Sequence, residues 1–288
     1  MNRIIDFHVH TFPDHVADRA LAKLQANSHT ALFAPGTAAG LQASMRRAGI
    51  DRCVILPAAT AAGQSAHIND RAVRTHESAA ETGLDSFAAI HPEDENWKQE
   101  LDRAAAAGLR GVKIHPPYQG VDIDDPRYLR ILNRAGELDL TVVTHAGLDV
   151  GLPGAEHALP SKIRRAVLAA GPVRLVCAHM GGWKCWKEVC ELLADTGVWL
   201  DTAFSLGDMI PSGDDYPWTA ESLRRLSDED FVKMIRLFGA DRVLFGTDSP
   251  WSDQKEDVDH FCRLPLSEHE KRAVLSENAE RLLGLQTQ

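Results

Sequence analysis

Short β-rich apolar runs alternate with longer stretches of helical periodicity from one end of this sequence to the other, and no low-complexity linker interrupts them. The strand candidates are Ile4–His10, Arg52–Pro57, Ser86–His91, Gly111–His115, Thr141–His145, Arg174–His179, Val198–Ala203 and Val243–Asp248. Helical candidates follow them at Gly40–Ala48, Asn69–Thr82, Trp97–Ala107, Pro126–Leu138, Ser161–Ala169, Lys184–Ala194, Ser227–Phe238 and Ser267–Leu283. Gly49, Gly83, Gly108, Gly171, Gly197 and Gly239 stand where a left-handed residue would end a helix. Eight strand-then-helix units predict an α/β protein, a (β/α)8 TIM barrel, because an open doubly wound sheet would carry a Gly-rich turn after its first strand. No such turn follows Ile4–His10. The 288 residues would also accommodate two average domains, but the unbroken alternation argues for one domain over residues 1–288.

Composition narrows the function. The formal charge of −10 gives an average field that repels phosphate backbones and anionic membranes, so neither nucleic acid nor membrane is an expected partner. The five cysteines, an odd number without CxxC spacing, argue against a disulfide framework or zinc ribbon and fit a reducing, cytoplasmic setting. Cys185 and Cys190, five apart on a helix, fall on different faces. No leader-like apolar run opens the sequence, and no stretch approaches the roughly 20 apolar residues of a membrane span.

Histidine occupies 13 of 288 positions, so the roughly 30 positions at the C-terminal ends of eight barrel strands should hold about one by chance. His8, His10, His91, His115, His145 and His179 all lie there, and Asp248 closes the last strand. Neutral imidazoles with a carboxylate suit zinc and related metals. In Asp6-Phe7-His8-Val9-His10, alternation places His8 and His10 on one face and Phe7 and Val9 on the other. Asp6 shares the histidines' face, where it would orient a ligand or satisfy a backbone donor. His91 and His115, each before proline, read as loop-shaping residues.

His-x-His on the first strand, histidine on the fifth and sixth, and aspartate on the eighth resemble the amidohydrolase superfamily, over nearly the whole chain. The likeness is strongest to its amidohydrolase-related branch, which includes the aminocarboxymuconate-semialdehyde decarboxylase-like proteins. The resemblance implies that His8, His10, His145 and Asp248 hold one divalent ion, with zinc expected. His179 is implied as the residue that orients or deprotonates the attacking water, or as a further metal ligand. Lys113 matches the position of a carboxylated lysine that bridges two metals in some members, which would add a second ion. It could equally stay an ammonium facing a substrate carboxylate, or pair with an aspartate or glutamate inside the barrel. Asp248 is implied as both ligand and proton shuttle.

The resulting expectation is a metal-dependent hydrolase that uses activated water on an amide- or lactone-type bond of a small anionic or cyclic molecule, in a chain that could pair with itself. Non-oxidative decarboxylation is the alternative, since the same ligands support both. Phe12, Tyr118, Trp183, Trp218 and Trp251 lie in strand-end segments where they could stack on a ring, with Lys113 or Lys184 meeting a carboxylate. The connections Thr11–Pro35, with a helix near Asp14–Gln25, and Ser205–Leu226 are long enough to cover the mouth. Gly246-Thr247-Asp248-Ser249-Pro250 also resembles TatD-type nucleases, but those carry a bridging glutamate where Lys113 stands, and the acidic charge opposes that reading. An inactive metal-binding barrel is the non-enzymatic alternative; structural zinc sites are usually closed and cysteine-rich, unlike this cluster.

Overall fold

The computed structural model describes residues 3–285. Its strands are β1 Ile5–Val9, β2 Arg52–Ile55, β3 (split at Phe87 into Leu84–Ser86 and Ala88–Ala89), β4 Gly111–Ile114, β5 Thr141–Thr144, β6 Arg174–Cys177, β7 Trp199–Asp201 and β8 Val243–Leu244. Every ladder is parallel. The first three strands form one ladder up to the break in β3, and the rest form another. Two seams close the cylinder. Phe87 N donates to Ile55 O across the break, and Phe7 N to Phe245 O and Asp248 N to His8 O, both at 2.8 Å, join β1 to the end of β8. The fold is thus the expected (β/α)8 barrel.

Two apolar clusters result. Phe7, Val54, Phe87, Val143, Val176 and Leu244 fill the barrel, where Phe7 meets Phe87 edge-on at 5.4 Å. The C-terminal helix Asn278–Leu283 caps that packing with Ala279, Leu282 and Leu283. Val9, Ile55, Val112, Ile114, Val142, Leu175 and Leu200 face outward and pack with the helices.

Strict alternation fails in β1. The register runs Asp6 to Cys53 and then Val9 to Ile55, so three steps on β1 match two on β2. This bulge turns Phe7 inward together with His8, and turns Asp6 towards the helix layer, where it accepts from Gln254 Nε2 at 2.7 Å. The expectation that Phe7 points outward and Asp6 shares the histidines' face is corrected accordingly. Asp6 does satisfy backbone donors: it accepts from His8 N at 3.2 Å and Thr247 N at 3.0 Å.

The helical boundaries differ at several points. Ser65–Glu77 begins four residues before the expected Asn69, and Ala79–Thr82 is a separate turn. Gln254–Arg263 is a helix that the sequence reading missed, because its buried face is only Gln254, Val258 and Phe261 among charged residues. Asp253 caps it through Lys255 N. The expected helix Ser267–Leu283 contains a π-helical stretch at Ala273–Glu277. Gly171 has no positive φ; Pro160–Ala169 ends instead in extended Ala170.

The long connections meet each other. Thr30 and Pro211 form an antiparallel bridge, and Ala31 N donates to Ile210 O. Only the first connection, with helix Asp14–Ser28, walls the cavity at the strand ends, through Thr11, Phe12, Pro13, Val16, Leu24 and Ser28. Among the described residues, no helix is long and apolar enough to cross a membrane.

Candidate metal centre and active site

At the C-terminal ends of the strands, a cavity of about 620 Å³ is lined by His8, His10, Lys113, His115, His145, His179 and Asp248. Phe12, Tyr118, Trp183 and Trp251 form part of its walls. Trp218 and Lys184 do not line it. Trp218 packs beside His29, and Lys184 Nζ donates to Arg224 O. His91 is held in its loop by accepting from Glu93 N.

Ring tautomers decide which nitrogens are free to bind a cation. His8 Nδ1 lies 2.8 Å from Asp201 Oδ2, and His10 Nδ1 lies 2.8 Å from Leu56 O. Neither oxygen has a proton to give, so each Nδ1 carries the hydrogen and, in a neutral ring, each Nε2 is a bare lone pair. His8 Nε2 and His10 Nε2 are 3.2 Å apart, and Asp248 Oδ1 is 3.3 Å and 3.0 Å from them. Three lone-pair donors thus converge with no proton between them. Tetrahedral zinc with bonds of about 2.0–2.1 Å would set its ligands roughly 3.3 Å apart, so the residues present fit a divalent ion.

His145 and His179 form an adjacent pair. Each gives one ring N–H to a carbonyl at 3.0 Å, His145 Nε2 to Leu148 O and His179 Nδ1 to Ala203 O. Their remaining nitrogens face each other at 3.2 Å. The ring of His179 lies 5.3 Å from that of His8. Neither belongs to the set of ligand atoms within 4.8 Å of one another that His8, His10 and Asp248 form. The five expected ligands therefore gather as a trio and a pair.

A second group, His115, His145 and Asp149, is equally compact but of different chemistry. His115 Nδ1 accepts from Tyr118 N, so its Nε2–H points to Asp149 Oδ2 at 3.6 Å, and His145 Nε2–H lies 3.7 Å from the same oxygen. Protons already fill this group.

Burial controls the charges. It lowers the pKa of His8 and His145 and brings His179 to about 3, with His145 opposite adding to the effect, so these rings are neutral at pH 7. Burial alone would raise Asp248; its contact with His10 Nε2 and the neighbouring imidazoles of His8 and His179 outweigh that and keep the carboxyl below the usual carboxylate range. Lys113, 1% exposed, is pushed down to about 8 by burial, partly opposed by Asp201, Asp248 and Asp149.

His179 at 59°, Met180 at 53° and Asp248 at 68° sit at positive φ. Left-handed backbone costs a non-glycine residue roughly 1–2 kcal/mol, and backbone N–H bonds, two of them to Asp201, hold it. His179 N donates to Asp201 Oδ1 at 2.9 Å, Met180 N to Asp201 O at 2.7 Å, and Trp251 N to Asp248 O at 3.0 Å. Gly246 is required on the same strand end, because a Cβ there would lie 2.9 Å from His8 Cβ.

Asp201, which the sequence reading did not single out, is the fully buried hub that fixes His8 and positions His179. Its only sequence signal was an acid at the end of an apolar strand. Asp149 was also missed.

The sequence profile of the amidohydrolase family matches residues 5–285. No curated protein matches the sequence. Among solved structures, the fold is similar to an uncharacterised TIM-barrel protein from Bordetella bronchiseptica, at 18% identity over 98% of each chain with a TM-score of 0.74. It is also similar to a 5-carboxyvanillate decarboxylase from Novosphingobium aromaticivorans solved with manganese (15% identity, 99% of this chain and 96% of that one, TM-score 0.68). A third similar structure is a protein assigned as 2-pyrone-4,6-dicarboxylic acid hydrolase from Pseudomonas putida (17% identity, 100% of both chains, TM-score 0.66).

Proposed function

Because the chain belongs to the amidohydrolase family, whose members are metal-dependent enzymes, we propose that it is a hydrolase acting with activated water on an amide- or lactone-type bond of a small anionic or cyclic substrate. The observation that carries this reading is the convergence of His8 Nε2, His10 Nε2 and Asp248 Oδ1 as bare lone pairs on one wall of the cavity. These three would hold one divalent ion, proposed as zinc, with His145 as the further ligand. Such an ion lowers the pKa of bound water from 15.7 towards about 7 and polarises a carbonyl oxygen.

The remaining steps belong to the side chains. Asp201 and Leu56 O keep the Nε2 lone pairs of His8 and His10 directed at one point. His179 Nε2 accepts a proton of the attacking water, its orientation set by Nδ1–H on Ala203 O. The Lys113 ammonium neutralises charge developing on the carbonyl oxygen, and the proton taken from the water is handed to the leaving group by His179 itself or through Asp248. Two acids and two bases line the cavity, Asp149 and Asp248 against Arg71 and Lys113. A divalent ion would make it net positive inside a chain of charge −10, which supports an anionic substrate.

Decarboxylation is the second reading, favoured by aromatic walls and by similarity to a decarboxylase that handles a carboxylated ring. A panel of lactones, amides and aromatic acids, assayed for acid release against carbon dioxide, separates the two. Acid release supports the hydrolase; gas alone refutes it. His179→Ala should lower turnover while leaving metal content near wild type, and equal loss of both would recast His179 as a ligand.

A further inference from the structure

Arg71 is a cation in the cavity wall for which the chemistry above has no use. It lies on helix Ser65–Glu77, and the cavity-lining residues there, Gln64, His67, Ile68 and Arg71, follow the i, i+3, i+4, i+7 spacing of one helix face. The opposite side of the helix buries Asn69 and Ala72, and Asn69 Oδ1 accepts from Ala89 N of β3. The helix is therefore anchored to the barrel with a polar face turned to the cavity.

A guanidinium has five N–H donors. Arg71 uses one, from Nη2 to Thr11 O at 3.2 Å, and among the described residues it has no carboxylate within ion-pair distance. Arg103, on the helix packed beside it, pairs with Asp70 and Glu100. Burial and the like charge of Arg74 both disfavour the charge on Arg71, and no acid opposes them. A half-buried cation without a counterion is costly unless an anion enters. Thr11 directly follows His10, so the guanidinium is bonded one residue along the chain from the proposed metal-binding trio, and Phe12 lines the same cavity.

We propose that Arg71 binds a carboxylate that the substrate keeps through the reaction, so that the substrate is a planar acid whose anionic group is distinct from its reacting bond. This rests on the proposed function and names the substrate class for that site. A carboxylate is the anion the fork of donors matches bidentately. With the carboxylate on Arg71 and the ring between the aromatic walls, the reacting bond faces His8, His10 and Asp248. Gln64 and His67 supply further polar contacts on the same helix face.

The test is calorimetric binding of benzene-1,3-dicarboxylate, benzoate and benzamide to metal-loaded wild type, Arg71→Met and Arg71→Lys, with metal content measured in each. Wild type should prefer the dicarboxylate to benzoate, and benzoate to benzamide. Arg71→Met should weaken the dicarboxylate roughly 10- to 100-fold and leave benzamide within about twofold. Arg71→Lys, which keeps charge without the fork, should fall between. An unchanged preference in Arg71→Met overturns the proposal, as does failure of the wild type to bind either acid at millimolar concentration. If Arg71→Met does not fold, Arg71→Lys decides, and wild-type binding by that variant overturns the bidentate role. Absence of metal from wild type would refute the hydrolytic reading by a separate readout.

Discussion

Replacing Asp201 by asparagine changes one atom's chemistry and should impair metal binding from outside the ligand set. Asp201 is fully buried and accepts three bonds: His8 Nδ1–H at 2.8 Å, His179 N at 2.9 Å and Ala203 N at 3.1 Å. In the variant the amide oxygen can keep both backbone donors at the Oδ1 position, which places the NH2 group against His8 Nδ1. An amide NH2 only donates, so His8 must carry its proton on Nε2 instead. That N–H would then point at His10 Nε2 and Asp248 Oδ1, where the proposed ion would sit. Loss of an outer-shell partner typically weakens metal affinity about 10- to 100-fold, or about 1.4–2.8 kcal/mol, and the forced tautomer places Asp201→Asn at the upper end. Chelator competition gives the apparent affinity of wild type and variant, with circular dichroism to show that the barrel persists. A folded variant with wild-type affinity would refute the tautomer argument.

Other perturbations test neighbouring parts of the account. The double variant His8→Ala with His10→Ala should lose bound metal and activity while keeping most secondary structure, and metal retained at wild-type content would contradict the ligand assignment. Gly246→Ala drives a methyl against His8 Cβ at 2.9 Å, so stability should fall by about 1–3 kcal/mol and metal affinity should fall with it; unchanged affinity would show that His8 has room to move. Lys113 titrates near 8 in the folded chain against 10.5 ordinarily. Between those values the unfolded chain holds a proton the folded chain has lost, so the stability of chelator-treated protein should rise with pH, by up to about 3 kcal/mol. Denaturant melts of wild type and Lys113→Met across that range check this, and parallel pH profiles would contradict it.

The barrel was legible because each strand is a short apolar run followed by an amphipathic helix, and because His8, His10, His145, His179 and Asp248 punctuate strand ends. What was not legible depends on backbone detail. The bulge in β1 that brings Phe7 inward and Asp6 outward leaves no compositional trace. The positive φ at His179 and Asp248 arises from tertiary hydrogen bonds, including those to Asp201 from a neighbouring strand. Sequence spacing counts histidines but does not say which ring nitrogen carries a proton, and that distinction separates the trio from the His115–Asp149 group. Helix Gln254–Arg263 escaped notice because its buried face includes a glutamine bonded to Asp6. Arg71 was invisible for a similar reason: only the fold shows a charge without a counterion.

X-ray diffraction at the absorption edge of the metal in the purified protein addresses the central claim most directly. The account predicts one ion per chain, bonded to His8 Nε2, His10 Nε2 and Asp248 Oδ1 at about 2.0–2.2 Å. No anomalous peak after soaking with zinc, or a peak seated between His115 and Asp149 instead, would contradict it.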